Sequence, residues 1–327
     1  MTRAHQIHLV RRPEGMPRAE DFALDEVEVG DPGEGEIQVQ NLLMSVDPYM
    51  RPRFNADQAL GEALIGGGIG RVVASRIPAF AEGDIVRHGA GMRDLFISDG
   101  RGVQVLRPDP DLPLSVYMHA LGGTGMTAYG GLLEIGALKD GEQVFVSTAA
   151  GAVGSVAAQI AKIKGCYVVG STGSDDKAAW LRDVAGLDAV INYKTQPIRR
   201  ALAEATPKGI DVYFENVGGA HLDAALLRMN IGGRIPVCGM ISTYNGGGEP
   251  VSGLSNIIYR RVTLRGFVAS DFAHLNARFV ADMTAWLKEG RLKYEETVLE
   301  GFAQAPQGLI GLFEGRNAGK MLIRVAN

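Results

Sequence analysis

The segment VFVSTAAGAVGSVAAQIAKIKGCYVVGSTGSDDK, residues 144–177, decides how this chain is read. An apolar run passes through a glycine-rich turn into a stretch whose positions Val153, Val156, Ala157, Ile160, Ala161 and Ile163 approximate one helical face. The spacing predicts a strand, a turn and a helix from about Ala152 to Lys164, closed by Gly165, with YVVGS as a second strand. This pattern opens a dinucleotide-binding unit. There, a first glycine permits the tight turn, a second lets pyrophosphate approach the backbone, and a third lets helix and strand pack closely. Gly151 and Gly154 supply the second and third, but the first position is Ala149. Its methyl group is tolerable if the backbone there keeps ordinary angles. The start of the helix would present free N–H groups to phosphates.

The end of the second strand decides between coenzymes. NAD requires a carboxylate near its ribose 2′-hydroxyl, whereas NADP requires that carboxylate to be absent and a cation present. Ser171, Thr172, Gly173 and Ser174 are neutral and Lys177 follows, so NADP(H) is favoured, with Lys177 on the extra phosphate. Asp175 and Asp176 are expected to cap the next helix instead. Tyr193, in INYK after the third strand, either flanks the adenosine edge or packs as an ordinary aromatic.

At 327 residues the chain exceeds what one hydrophobic core usually organises, so two domains are expected, although a single large barrel would also fit. Its 46% apolar and 21% charged residues are those of a soluble globular protein, and a net charge of −4 argues against nucleic-acid or membrane-surface partners. Cys166 and Cys238 are too few for a disulfide framework, which points to a reducing cytoplasm. The N-terminal MTRAHQIHLVRRPEG carries charge without an apolar run and does not read as a secretory signal.

Before about residue 115, short alternating runs such as EIQVQNLLMSVD and IGRVVASRI predict a β-rich, partly open barrel. From about 120 to 270, strands (QVFVST, YVVGS, AVIN, DVYFENV, RIPVCG) alternate with helical stretches (DDKAAWLRDVA, IRRALAEA, GAHLDAALLRM), as a doubly wound parallel sheet requires. VTLRGFVA is expected to be a further strand, FAHLNARFVADMTAWLKEG one long helix, and STYNGGGEPVSG a loop at the rim of a ligand cleft. The tail returns to strand-like patterning.

Several motifs together carry a resemblance: SVDPYMRPR (45–53), GGGIG (66–70), GGTGMTAYGGLLEIG (122–136), TAAGAVGSVAAQIAKIKGC (148–166), INYK (191–194), GIDVYFENVGG (209–219), RIPVCGMISTYN (234–245) and NAGKMLIRV (317–325). The chain resembles the zinc-independent medium-chain dehydrogenase/reductases, specifically the leukotriene hydroxydehydrogenase, prostaglandin reductase and curcumin reductase group of alkenal/one oxidoreductases. That resemblance implies a GroES-like, β-rich, partly open barrel over 1–118 plus 296–327, with an inserted Rossmann NADP-binding domain over 119–295. It also implies a homodimer and NADPH-dependent reduction of the C=C bond of α,β-unsaturated ketones and aldehydes. Carried onto matching positions, it places Thr127 near the nicotinamide, Gly151, Ala152, Val153 and Gly154 at the pyrophosphate, and Lys177 and Tyr193 at the adenosine phosphate. Asn216, Cys238, Phe267, Val268 and Asn317 line the remainder, and Tyr49 and Tyr259 border the substrate. Arg71, where the group often carries an acid, and the stretch GAGMRDLFISD (89–99), which lacks the usual tryptophan or tyrosine, bear on substrate shape.

Zinc-dependent relatives carry Gly-His-Glu where this chain has Ile65, Gly66 and Gly67, and its six histidines show no metal-site spacing with the two cysteines, so no catalytic zinc is expected. Without a Lewis acid, conjugate reduction fits better than alcohol oxidation. Hydride addition to the β-carbon leaves charge on the carbonyl oxygen. A tyrosine phenol can donate a hydrogen bond to that oxygen, and Tyr259 is the first candidate donor, assisted by the coenzyme ribose hydroxyl, with Tyr49 second. A quinone reductase and a non-catalytic NADPH-binding regulator are the alternatives that the motifs leave open.

Overall fold

The computed structural model describes residues 1–326. The chain divides into two compact units. One comprises Met1–Met118, Glu296–Asn317 and the residues from Met321, and the other His119–Glu295 with Ala318–Lys320. In chain order the first unit opens with β1 (Thr2–Leu9), β2 (Phe22–Val29), β3 (Ile37–Ser45), α1 (Met50–Ala56), β4 (Gly68–Ser75), β5 (Ile85–His88), β6 (Leu95–Ser98) and β7 (Gln104–Val105). The second unit runs through α2 (Gly123–Gly130), β8 (Gln143–Val146), α3 (Ala152–Ile163), β9 (Tyr167–Thr172), α4 (Asp175–Asp183), β10 (Ala189–Asn192), α5 (Ile198–Ala205), β11 (Ile210–Phe214), α6 (Gly219–Leu226), β12 (Met229–Val237), α7 (Ser255–Arg260), β13 (Thr263–Gly266) and α8 (Asn276–Lys288). The chain then returns through β14 (Glu296–Glu300), α9 (Ala305–Glu314) and β15 (Lys320–Arg324).

The first unit joins strands from both ends of the chain. A seven-stranded sheet has the order β14-β15-β3-β4-β5-β7, with β6 also on β3, and β1 and β2 form a separate antiparallel pair. Apolar residues on β1, β3, α1, α9 and β15, including Leu9, Met44, Phe54, Leu309 and Ile323, close one core. Burying each removes apolar surface worth roughly 1.5–3 kcal/mol.

In the second unit six parallel strands lie in the order β10-β9-β8-β11-β12-β13. The central strands are continuous apolar runs because helices cover both faces of such a sheet. On β8, Phe145 sits opposite Val169 of β9 on one side and Tyr213 of β11 on the other, and its ring stacks on Tyr213 at 4.8 Å. Strand order reverses between β9-β8 and β11, which places a crevice at the carboxyl ends of β8 and β11.

Two expectations need correction. The stretch read as one long helix from Phe272 is broken: residues Ala269–Leu275 form a tighter 3₁₀ segment, Phe272 leaves helical angles (φ −104°, ψ 20°), and α8 begins at Asn276. Tertiary packing outweighs helix propensity here. The Phe272 ring lies 5.4 Å from Phe267 and fills the space where a Cβ on Gly130 would sit 2.3 Å away. VTLRGFVA yields only the four-residue β13, which ends the sheet.

The β8–α3 connection resolves the question of Ala149. Ala149 has no positive φ, and its methyl is accommodated across the sheet by Gly170 of β9, where a Cβ would come within 2.7 Å of it. The left-handed residue is Thr148, at φ 51°. A β-branched side chain in that region is sterically costly, by roughly 1–2 kcal/mol. Thr148→Gly removes that cost but adds backbone entropy to the unfolded chain, so a net gain of about 0.5–1 kcal/mol is expected. The urea midpoint should therefore rise at constant m value, and a midpoint that falls would show that Thr148 is not strained.

Candidate coenzyme and active site

The glycine-rich turn is built to bring backbone close to backbone. Gly151 caps α3 with extended angles (φ −83°, ψ 173°) and no side-chain hydrogen bond, and its N–H donates to the Thr148 carbonyl at 2.9 Å. A Cβ on Gly154 would meet the Thr148 carbonyl oxygen at 2.2 Å, so only glycine lets α3 approach this closely. The Ala149 N–H donates to Ser171 at 2.8 Å, tying the turn to β9. The first-turn amides of α3, at Ala152, Val153 and Gly154, and the positive end of the helix dipole form a cradle suited to a pyrophosphate.

The 317–320 stretch supports this cradle in a way its motif does not reveal. Gly319 bridges Gly151, and its N–H donates to the Ala150 carbonyl at 2.9 Å. A Cβ on Gly319 would lie 1.7 Å from the Glu295 carbonyl oxygen. The required glycine was visible in the sequence, but its partner was not.

At the end of β9, Ser174 and not an aspartate is the N-cap of α4: its Oγ accepts the Lys177 N–H at 3.4 Å. Asp175 and Asp176 occupy the first helical turn, and Asp175 accepts the Asn192 side-chain amide at 2.8 Å. The Lys177 ammonium is half-buried, and burial, then the like charge of Lys194, holds it below the usual lysine range. The Tyr193 hydroxyl and the Lys194 Cε would lie 3.0 and 3.5 Å from a Cβ on Gly173. The Tyr193 ring is 38% exposed, stands edge-on to His221 at 5.0 Å, and burial raises its phenol. A lysine and a phenol beside a bare glycine, with Lys177 in electrostatic contact with that lysine, suit a dianionic phosphate.

Across the strand reversal, Asn216 donates its side-chain amide to the Ser147 carbonyl at 2.7 Å and its N–H to Ser147 Oγ at 2.9 Å, while Cys238 donates its S–H to Asn216 Oδ1 at 2.9 Å. Burial pushes the Cys238 thiol up, so it stays protonated. Thr127, on α2, bonds back to the Gly123 carbonyl at 2.8 Å. The Phe267 side chain is buried against Phe214 and Phe272, which leaves its backbone as the part able to face a ligand, whereas Val268 is 60% exposed.

The remaining candidates fall outside these groups. Tyr259, on α7 of the second unit, is 73% exposed. Tyr49 precedes α1 in the first unit, where burial and then Asp47, opposed by Arg53, push its phenol up to about 12. Asn317 belongs to the first unit. Arg71 lies exposed on β4, and the 89–99 stretch contributes β6, whose Phe96 is buried 4.7 Å from the His88 ring.

A zinc ion does not fit these donors. Among the described residues no group of three or more histidine, cysteine, aspartate or glutamate side chains is placed to hold a metal. Near Gly66 and Gly67, His88 is engaged with Asn41 through Nε2 at 2.6 Å and accepts the Ala90 N–H through Nδ1 at 3.2 Å, and burial pushes it down to about 4. Among the described residues no helix is long and apolar enough to cross a membrane.

Comparison with known proteins agrees with this architecture. Residues 5–106 match the model described as the N-terminal domain of oxidoreductase, and residues 152–288 match the one described as zinc-binding dehydrogenase, although no metal-holding donor set occurs among the described residues. The chain is 40% identical to the NADPH-dependent curcumin reductase of Escherichia coli over 97% of this chain and 96% of that one. It is 41% identical to prostaglandin reductase 1 of Rattus norvegicus over 99% of this chain and all of that one (100%). The crystal structure of CurA in complex with NADPH from Vibrio vulnificus superimposes with a TM-score of 0.94 at 38% identity, covering 99% of both chains. With a GroES-like β domain, a six-stranded Rossmann sheet and this likeness along its whole length, the chain belongs to the medium-chain dehydrogenase/reductase superfamily, in the group of the prostaglandin, curcumin and alkenal reductases.

Proposed function

We propose that this protein uses NADPH to reduce the C=C bond of small α,β-unsaturated ketones and aldehydes. The observation that carries this reading is the half-buried Lys177 in electrostatic contact with the exposed Lys194, which lies beside Gly173, combined with full-length likeness to an NADPH-dependent curcumin reductase and an NADP-dependent 2-alkenal reductase. The second unit binds the coenzyme, with the amides of Gly151, Ala152, Val153 and Gly154 on the pyrophosphate and Lys177 and Tyr193 on the 2′-phosphate end. Thr127, Asn216, Cys238, Val268, Asn317 and the Phe267 backbone line the rest. We assign Tyr259 and Tyr49 as the candidate donors to the substrate.

Bound NADPH supplies the hydride that reaches the β-carbon. As that bond forms, the C=C electrons shift and charge collects on the substrate carbonyl oxygen. The Tyr259 O–H donates a hydrogen bond to that oxygen, with Tyr49 as the second donor, and water then delivers a proton to the α-carbon. The cytoplasm is the proposed setting, where reducing conditions keep Cys166 and Cys238 as the free thiols seen here. A second copy pairs along β13, the open end of the six-stranded sheet, where all four strand residues and the nearby Ile258 are exposed.

These assignments give three expected outcomes. With an enone such as a 2-alkenone, NADPH absorbance should fall steadily. Tyr259→Phe should lower kcat by about 10- to 100-fold while leaving the NADPH Kd within about 3-fold. Unchanged turnover would remove Tyr259 from the reaction.

The second outcome concerns pH. A 2′-phosphate raises the Lys177 pKa on binding, so the lysine's contribution to affinity is full below its lowered free-state value and is lost as pH rises through the bound-state value. NADPH affinity measured by fluorescence titration should therefore weaken on the alkaline side while NADH affinity stays flat, and Lys177→Met should abolish the difference. Equal pH profiles for the two coenzymes would refute the assignment. Third, sedimentation equilibrium at micromolar concentration should return a dimer, and a monomer would dismiss the β13 interface.

A further inference from the structure

One carboxyl group at the strand reversal has no place in the coenzyme contacts assigned so far. Glu215, directly after β11, is fully buried at 0% exposure. Its Oε1 accepts the Ser147 O–H at 3.1 Å and the Val217 N–H at 2.6 Å, so one oxygen links the carboxyl ends of β8 and β11. Ser147 Oγ in turn accepts the Asn216 N–H, and the Asn216 side chain is held at both ends, by the Ser147 carbonyl and the Cys238 thiol. The carboxyl also interacts with the Tyr213 hydroxyl, buried at the end of the same strand, and burial raises the proton affinity of both groups.

A carboxyl in a core is poor structural design. Burying it costs stability that an apolar side chain of similar size would avoid, even where hydrogen bonds offset part of the cost. Such breaches of local packing logic are expected where function demands them. This one sits at the reversal of strand order, the place where open parallel sheets receive ligands. Its two donors, Ser147 and Val217, flank Asn216 in the bonding network.

We propose that Glu215 is a positioning residue for the coenzyme: through Ser147 and the Val217 amide it holds the Asn216 carboxamide and the end of β8 in one arrangement before the coenzyme arrives. The proposal rests on the coenzyme-binding reading above, but not on which coenzyme is chosen. Because Glu215 acts at the strand reversal and not at Gly173, its loss should weaken NADPH and NADH alike.

The test compares Glu215→Met, Glu215→Gln and Ser147→Ala in the full chain, measuring thermal midpoint, Kd for NADPH and NADH by titration, and the split between KM and kcat. Glu215→Met should keep or raise the thermal midpoint yet weaken both coenzymes by about 10-fold, the size expected for a lost buried hydrogen bond. Glu215→Gln retains an acceptor at Oε1 and should bind within about 3-fold of the parent. Ser147→Ala should show a comparable loss, and that loss should not add to that of Glu215→Met. The effect should fall on KM for the coenzyme more than on kcat.

Undiminished binding by Glu215→Met would overturn the proposal, and so would a Glu215→Gln loss as large as that of Glu215→Met. If Glu215→Met does not fold, Ser147→Ala decides: parent-like affinity sinks the proposal and a 10-fold loss at unchanged thermal midpoint supports it. A parent protein that preferred NADH would refute the NADP reading, and the NADH ratios would still judge Glu215.

Discussion

The second unit depends on how closely α3 can approach the turn that precedes it. At Gly154 a single methyl group would intrude to 2.2 Å from the Thr148 carbonyl oxygen, and no side-chain movement can relieve a clash with backbone. Gly151 and the first turn of α3 lie directly beside that contact, so the packing constraint and the proposed anion cradle fall on one turn. Around that contact the structure places its compensations: Thr148 takes the left-handed angle, Gly170 makes room for the Ala149 methyl, and Gly319 lies against Gly151.

How legible this was depended on whether a signal was local. Parallel strands buried on both faces must be apolar runs, so QVFV, YVVGST and IDVYF declared themselves, as did the glycine that closes α3. Gly165 indeed adopts φ 72° directly after the C-cap Lys164. Ala149 looked like a defect because its compensation, Gly170, belongs to a different strand, and no periodicity links the two. The break at Phe272 was hidden for the same reason: its ring is drawn into a space above Gly130 that exists only once α2 is in place. Ser174, in contrast, carries a local cap signal, a hydroxyl directly before the helical DDKAAWL, and the two aspartates that follow fill the first turn.

The candidate site divides along the same line. Gly151, Gly154 and Lys177 follow from residue type and spacing alone, because phosphate recognition needs amides and a cation at fixed places after a strand. Tyr259, Tyr49, Asn317 and Val268 had no such logic and came only from family likeness. Phe267 shows the limit of carrying residues over: its ring is spent on the core. Glu215 stands within the motif GIDVYFENVGG, yet its part is not legible in sequence, since what distinguishes it is a bond to Ser147, 68 positions earlier.

The two ends of the proposed coenzyme site use opposite physical strategies. Beside β9 and β10, recognition is by charge: Lys177 and Lys194 are partly solvated, their mutual repulsion is relieved when a phosphate arrives, and the resulting affinity is sensitive to pH and to salt. Beside β8 and β11, the groups are neutral or buried and linked by short hydrogen bonds, so recognition there depends on geometry set in advance. A charged patch discriminates between coenzymes differing by one phosphate, because that difference is itself charge. A rigid network cannot do so, but it spares either coenzyme the cost of ordering its site on binding, which a mobile lysine cannot. The cost of burying Glu215 is thus borne at the end of the site where affinity comes from geometry set in advance and not from charge.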